Sequence, residues 1–340
     1  MLSITRLVPT KVVVPVTLIA GLLPSIWTLG ADAAGFRKMS VDGVEIGVWY
    51  PSDASTIKQR LGPFDVDIAK DAEILDGKHE IILFSHGNSG FYRNHYLTAQ
   101  TLADAGFIVV APQHEADYLI GGPKTAKALD HRYQELATAL KVIFETSEIG
   151  GHANREKVHG LGYSLGGATI LLASGAGYAS ERATQHCRKN GAVDTTFCED
   201  PGWLFRLVQS FRHSVSLRNT TDPFRNQPLL TGKAILVAPV FQGIDPAPPL
   251  SISGLTVFAI EGDTIAIPQF HAHPLHEAFS RDIPSDYQIV PGHHFAFIAP
   301  FPKWLTEQED IPVAMDPEGF DRPAFLKALN AEIVAAFADE

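Results

Sequence analysis

A mainly parallel β-sheet with helices on both faces is the fold class that three features of this 340-residue sequence predict. Short apolar runs bounded by turn residues recur at 80–85, 107–111, 233–240 and 255–260, as strands buried on both faces require. Helical runs alternate with them, the order expected of an open sheet wrapped on two sides. The third feature is Gly160-Leu161-Gly162-Tyr163-Ser164-Leu165-Gly166-Gly167, a G-x-S-x-G turn between a strand that Glu156-Lys157-Val158-His159 leads into and a helix-forming run that extends to Ala173.

Composition bounds the reading. Hydrophobic residues make up 45% of the chain and charged residues 19%, enough apolar material for a full core. A net charge of −11 argues against nucleic acid or an anionic membrane surface as a partner. There is no internal repeat or low-complexity tract.

Residues 1–33 read as a signal peptide: Arg6 and Lys11 precede an apolar run over 12–29, and Ala31-Asp32-Ala33 fits a small-x-small cleavage site. The rival reading is an uncleaved anchor, which Pro15 and Pro24 disfavour. The expectation is export, periplasmic or secreted, with one domain over 34–340 and no stable membrane insertion after cleavage. Cys187 and Cys198, the only cysteines, suit that compartment and are expected to join, contributing about 2–3 kcal/mol.

In chain order, 36–41 and 44–50 form a hairpin around Asp42-Gly43. Residues 51–77 read as an irregular surface excursion. Strand 80–85 leads into His86-Gly87-Asn88-Ser89-Gly90, and a helix over 95–105 stops at Gly106 before strand 107–111. A helix over 126–146 carries Leu129, Tyr133, Leu136, Leu140, Ile143 and Phe144 on one face. After the G-x-S-x-G turn the alternation breaks, and 178–230 reads as an insertion with the cysteines, Trp203, Leu204, Phe205, Leu207, Val208 and Phe211. It is either a satellite core or a cap with an apolar wall over the site. Asn219-Thr220-Thr221 is a glycosylation sequon. Strands 233–240 and 255–260, a helix over 268–280, strand 286–290 and a helix over 322–338 close the chain.

The chemistry is nucleophilic. A serine hydroxyl needs a base to take its proton, and the base needs an acid to fix its tautomer and stabilise its charge. A strand–turn–helix around Ser164 lifts the hydroxyl above the sheet, where the helix N-terminus favours developing negative charge. In such a fold the chain order is nucleophile, acid, base. Asp263, just after a buried strand, is the candidate acid, with Glu261 the competitor and Asp245 third. His294, after the last strand, is the candidate base, with His293 the alternative. The oxyanion needs two backbone donors, expected from Leu165 and Asn88, and losing one costs roughly 3–4 kcal/mol. A charged imidazole cannot act as base, so activity is expected to fall in acid.

Two patterns are set aside. His271-x-His273-x-x-His276 holds Pro274 and lacks the helical H-E-x-x-H frame of a metal site. Gly121-Gly122 and Gly175-x-Gly177 join no strand to a helix at dinucleotide spacing. No metal or cofactor is expected.

The motifs around Phe84-Ser85-His86-Gly87-Asn88, Gly106-Phe107-Ile108-Val109-Val110-Ala111-Pro112, Gly162-Tyr163-Ser164-Leu165-Gly166-Gly167 and Gly292-His293-His294-Phe295 resemble the platelet-activating-factor acetylhydrolase and predicted dienelactone hydrolase group of α/β-hydrolases. The resemblance covers most of 34–340 and is weakest in the insertion. It implies an α/β-hydrolase fold with His294 as base and Asn88 as oxyanion donor; 178–230 is expected as a cap-like insertion on that fold. A cysteine pair in the insertion is similar to that of exported members. Dienelactone hydrolases proper use a cysteine nucleophile, whereas this chain has Ser164. The expected activity is hydrolysis of small or lipid-like carboxylic esters through an acyl-enzyme; an amidase, a thioesterase or a non-catalytic binding protein on the same scaffold are the alternatives.

Overall fold

In the computed structural model, which describes residues 34–114, 126–145, 147–198, 224–307 and 311–339, the chain opens on an antiparallel hairpin of β1 (Gly35–Val41) and β2 (Val44–Tyr50). Asp42 and Gly43 both have positive φ, 50° and 83°, the tight turn that Asp-Gly favours. The leader at 1–33, Gly121-Gly122, the apolar residues at 203–211 and the sequon at Asn219 lie outside the described residues.

Residues 51–77 differ from expectation. They hold a second hairpin, β3 (Ile57–Leu61) and β4 (Phe64–Lys70), closed by Gly62 at φ 63°. Phe64, Val66 and Ile68 point inward between exposed Asp65 and Asp67. That period of two marks a strand half-covered by the core, and the acidic residues mask it when polarity alone is scored.

The βα alternation then runs as expected. It comprises β5 (His79–Ser85), α1 (Tyr96–Asp104), β6 (Ile108–Pro112), α2 (Ala126–Glu145), β7 (Ala153–Tyr163) and α3 (Leu165–Ala173). After the insertion come β10 (Lys233–Val237), β12 (Gly254–Ile260), α5 (Ala272–Phe279), β13 (Ser285–Val290) and α6 (Arg322–Ala338). Ten strands form one sheet in the order β13-β12-β10-β7-β5-β6-β2-β1-β4-β3. Every pairing from β13 to β6 is parallel, and the β2/β6, β1/β2 and β3/β4 pairings are antiparallel.

Alternate residues of each central strand feed two cores. Ile81 and Leu83 pack beneath α2, α3 and α5, with Leu136, Ile170 and Leu275. Ile82 and Phe84 pack beneath α1 and α6, with Leu102 and Ile333. On α6, Leu326, Leu329, Ile333 and Phe337 recur at helical spacing, and the Asp321 side chain caps the first turn by accepting from Ala324 N at 3.0 Å.

Two boundaries move for reasons of backbone chemistry. β10 stops at Val237, not at 240, because Ala238 turns at φ 45° and Pro239 has no N–H for the ladder. The helix expected from 268 begins at Ala272, which puts Pro274 in the first turn, where its missing N–H is not needed.

Of the insertion at 178–230, the described part begins on β8 (Gly177–Tyr178) and continues through α4 (Ser180–Asn190) to a single turn at Thr195–Cys198. It resumes at β9 (Phe224–Arg225). β8 pairs on its two sides with β9 and with β11 (Ile244–Asp245), a small sheet that ties both ends of the insertion to the body. Cys187 and Cys198 are joined, as expected. No helix among the described residues is long and apolar enough to cross a membrane.

Candidate active site

Ser164 occupies the one-residue turn between β7 and α3, at φ 53° and ψ −120°. Its N–H donates to Val237 O at 3.0 Å, and its carbonyl accepts from Gly167 N and Val240 N, both at 2.9 Å. The turn closes only because its flanks lack side chains. A Cβ on Gly166 would lie 1.9 Å from Ser85 O, and one on Gly162 would lie 2.6 Å from Gly166 O.

The loops after β12 and β13 bring the expected partners to it. His294 Nε2 lies 3.0 Å from Ser164 Oγ, and His294 Nδ1 lies 2.7 Å from Asp263 Oδ2. Asp263 Oδ1 accepts from the Ile265 and Ala266 N–H groups, each at 2.8 Å. An ionised carboxylate only accepts, so Nδ1 carries the imidazole proton and Nε2 is left to accept from the serine hydroxyl. Ser164, Asp263 and His294 are 6%, 4% and 5% exposed, sheltered yet reachable. Tyr163 fixes the base from behind: its hydroxyl donates to His294 O at 2.8 Å and its ring packs on the imidazole.

The competitors lie elsewhere. Glu261 is exposed, and Asp245 accepts from Ala247 N at 3.1 Å in its own turn. His293 pairs with Asp316 at 2.8 Å. The three histidines around Pro274 do not converge: His271 is buried against Asp194, His273 is exposed, and His276 stacks on Tyr287.

The Leu165 N–H opens α3, where the helix leaves it without an intrahelical acceptor. Gly87 lies so close that a Cβ there would be 3.4 Å from Ser164 Cβ, which brings the loop bearing Asn88 against the serine. Neither the Leu165 nor the Asn88 N–H donates to an acceptor among the described residues.

A polar network that sequence reading missed holds this loop from below. Arg132, fully buried on α2, donates to His86 O, to Ser85 Oγ at 3.2 Å and to Thr169 Oγ1 at 2.9 Å. His86 Nε2 accepts from the His114 N–H at 3.0 Å, which leaves its Nδ1–H to donate to Gly87 O at 2.8 Å. His114 bridges Ser85 Oγ at 2.9 Å and Glu135 at 2.7 Å. Ser85, His114 and Glu135 thus repeat a Ser–His–acid connectivity, but Ser85 and His114 have no exposed surface and Ser85 Oγ is shared with Arg132. The network serves the loop. The only sequence signal for it was an arginine and a glutamate, three apart, on the apolar side of a long helix. Arg132→Met is expected to lower stability by roughly 3–5 kcal/mol in urea titrations, because buried acceptors lose their donor.

Burial pushes the His95 imidazole down to about 3, despite its hydrogen bond to Phe297 O. Burial, with the Arg132 charge second, pushes His86 and His114 well below the ordinary range. The unfolded chain takes up these protons near pH 6.5, and the folded chain resists them until far lower. Between those limits the unfolded state binds more protons, so stability falls as the pH falls. The melting temperature is therefore expected to decline below about pH 6.5, with His95 alone costing about 2–3 kcal/mol by pH 4.5. Thermal melts of His95→Gln across that range should show a shallower decline.

Two cavities flank Ser164. The larger, about 420 Å³, has Arg93, His294, Phe295 and Phe301 in its wall. The smaller, about 100 Å³, is bounded by Leu165, Ala168, Phe197 and Val240. Asn88 and Ile265 border both. No protein-family model matches the chain, and no curated protein matches its sequence.

Proposed function

We propose that this chain is an exported serine hydrolase of the α/β-hydrolase kind that cleaves carboxylic esters through an acyl-enzyme. The observation that carries the reading is the continuous relay from Ser164 Oγ through His294 to Asp263, at 3.0 and 2.7 Å, opening onto two cavities. The motif resemblance supports the same class, and the joined cysteines fit an oxidising compartment. The described part of the insertion that carries Phe197 acts as a cap in this reading, since Phe197 borders the small cavity.

In the first half-reaction, the Ser164 Oγ proton passes to His294 Nε2 as Oγ attacks the ester carbonyl carbon. The carbonyl oxygen becomes an oxyanion between the Leu165 and Asn88 N–H groups, at the positive end of α3. Asp263 stabilises the imidazolium. Collapse breaks the C–O bond to the alcohol, whose oxygen takes the proton from Nε2. Water then gives a proton to Nε2 and attacks the acyl carbon, and Ser164 leaves with that proton. The acid is released and the resting state returns.

The test is hydrolysis of p-nitrophenyl esters beside the matching p-nitroanilides, with mass spectrometry after a fluorophosphonate probe. Ester turnover with a single adduct on Ser164 is expected. Anilide turnover equal to ester turnover would move the reading to an amidase. An unlabelled Ser164 with no turnover of any substrate would sink the hydrolase reading.

A further inference from the structure

Phe197 lines the smaller cavity beside Ser164, and it owes its position to a cluster that the proposed chemistry does not use. It sits on the single turn Thr195–Cys198, which the bond to Cys187 staples to α4. Its ring lies edge-on to His271, centroids 5.0 Å apart, and to His186 at 5.8 Å. Both imidazoles converge on Asp194, which has no exposed surface: Asp194 Oδ2 lies 2.7 Å from His186 Nε2 and 3.1 Å from His271 Nε2.

The far side of each ring fixes the protons. His271 Nδ1 accepts from the Phe241 N–H at 3.2 Å, and His186 Nδ1 accepts from Asn190 Nδ2 at 3.1 Å. Each ring therefore carries its proton on Nε2 and donates it to Asp194. Burial by itself would raise the Asp194 carboxyl, but the hydrogen bonds from His271 and His186 hold it below the usual carboxylate value. Asp194 Oδ1 has no partner among the described residues, so the whole clamp acts through Oδ2. The same tautomers oppose a metal. His186, Asp194 and Cys198 lie within 4.8 Å of one another, yet Cys198 is oxidised. A metal on either Nε2 would force a proton onto Nδ1, against an N–H already there.

The direction of the reaction assigns the two cavities, on the serine hydrolase reading above. His294 must return a proton to the departing alcohol oxygen, so the alcohol leaves on the side that His294 lines, the larger cavity. The acyl group stays on Ser164 and takes the other side, the smaller cavity, whose wall holds Leu165, Ala168 and Phe197. An apolar cavity of roughly 150 Å³ takes a benzene ring, so about 100 Å³ takes only a short chain. We propose that Phe197, clamped through Asp194 between His186 and His271, sets the upper length of the acyl group that this enzyme accepts.

The experiment is kcat/KM for p-nitrophenyl acetate, butyrate and octanoate, read as ratios within each protein so that a general loss cancels. The wild type is expected to fall at least tenfold from butyrate to octanoate. Phe197→Ala should raise the octanoate-to-butyrate ratio at least tenfold, and Asp194→Ala should move it in the same direction. Ala168→Val, which adds bulk to another residue of the same cavity wall, should lower the butyrate-to-acetate ratio and covers the case in which the Phe197 variant does not fold. A series of acetate esters with growing alcohols should keep its ratios in Phe197→Ala. Unchanged acyl ratios in the Phe197 and Ala168 variants, or a shift confined to the alcohol series, overturns the proposal while leaving the hydrolase reading in place. No turnover of any ester by the wild type overturns both.

Discussion

Ser164→Ala is expected to cut ester turnover by about a millionfold while leaving the fold intact. On the proposed mechanism the Ser164 hydroxyl forms the acyl-enzyme, and among the described residues it is the hydroxyl within hydrogen-bond reach of His294 Nε2, at 3.0 Å. What remains should be the slow reaction that oriented N–H donors and binding support without a nucleophile. A companion variant separates chemistry from stability. At φ 53° and ψ −120° Ser164 sits where only glycine is at ease, a strain worth about 1–3 kcal/mol. Ser164→Gly should therefore be as inactive as the alanine variant, yet unfold at higher denaturant, by about 1 kcal/mol after the extra flexibility of glycine is subtracted. Equal midpoints for Gly and Ala would mean that the turn is not strained, and activity surviving in either would mean that Ser164 is not the nucleophile.

Asp263→Asn is expected to cost about ten-thousandfold in kcat without a large change in KM. The reason lies in which atom the amide can put where. Oδ1 receives two N–H donors, from Ile265 and Ala266, so the asparagine carbonyl must take that position. The NH₂ group is then aimed at His294 Nδ1, where the aspartate accepted. Nδ1 must become the acceptor and Nε2 must carry the proton, facing the Ser164 hydroxyl that it should deprotonate. The base is present in the wrong tautomer. Burst kinetics with a chromogenic ester should show the loss in acylation. A loss below tenfold would make Asp263 a merely structural partner of its turn.

Most of this machinery was legible in the sequence because each part sits where a strand stops. Ser164, Asp263 and His294 follow β7, β12 and β13, and their local signals are glycines and buried apolar runs that backbone geometry dictates. The choice of Asp263 over Glu261 and of His294 over His293 was not dictated in that way. It depends on which side of a tight loop faces the serine, and adjacent residues differ in that only once the loop is folded. The β3/β4 hairpin was hidden by the two aspartates of its outer face. The Arg132 network and the Asp194 clamp were beyond reach for another reason. Each joins residues from distant parts of the chain, such as Ser85 with Arg132 or Asp194 with His271, and no single window contains the partners.

The base of the relay is the part least firmly held by the sheet. β13 is a terminal strand, paired with β12 on one side only, whereas β7 lies between β5 and β10. Partial opening of that margin would cost less than melting the centre, because it breaks one ladder and the Tyr163 hydrogen bond to His294 O, where a central strand would lose two ladders. It would carry His294 away from a serine that stays seated. A population of molecules can thus be silent while almost wholly folded, and loss of activity on warming should run ahead of loss of helix.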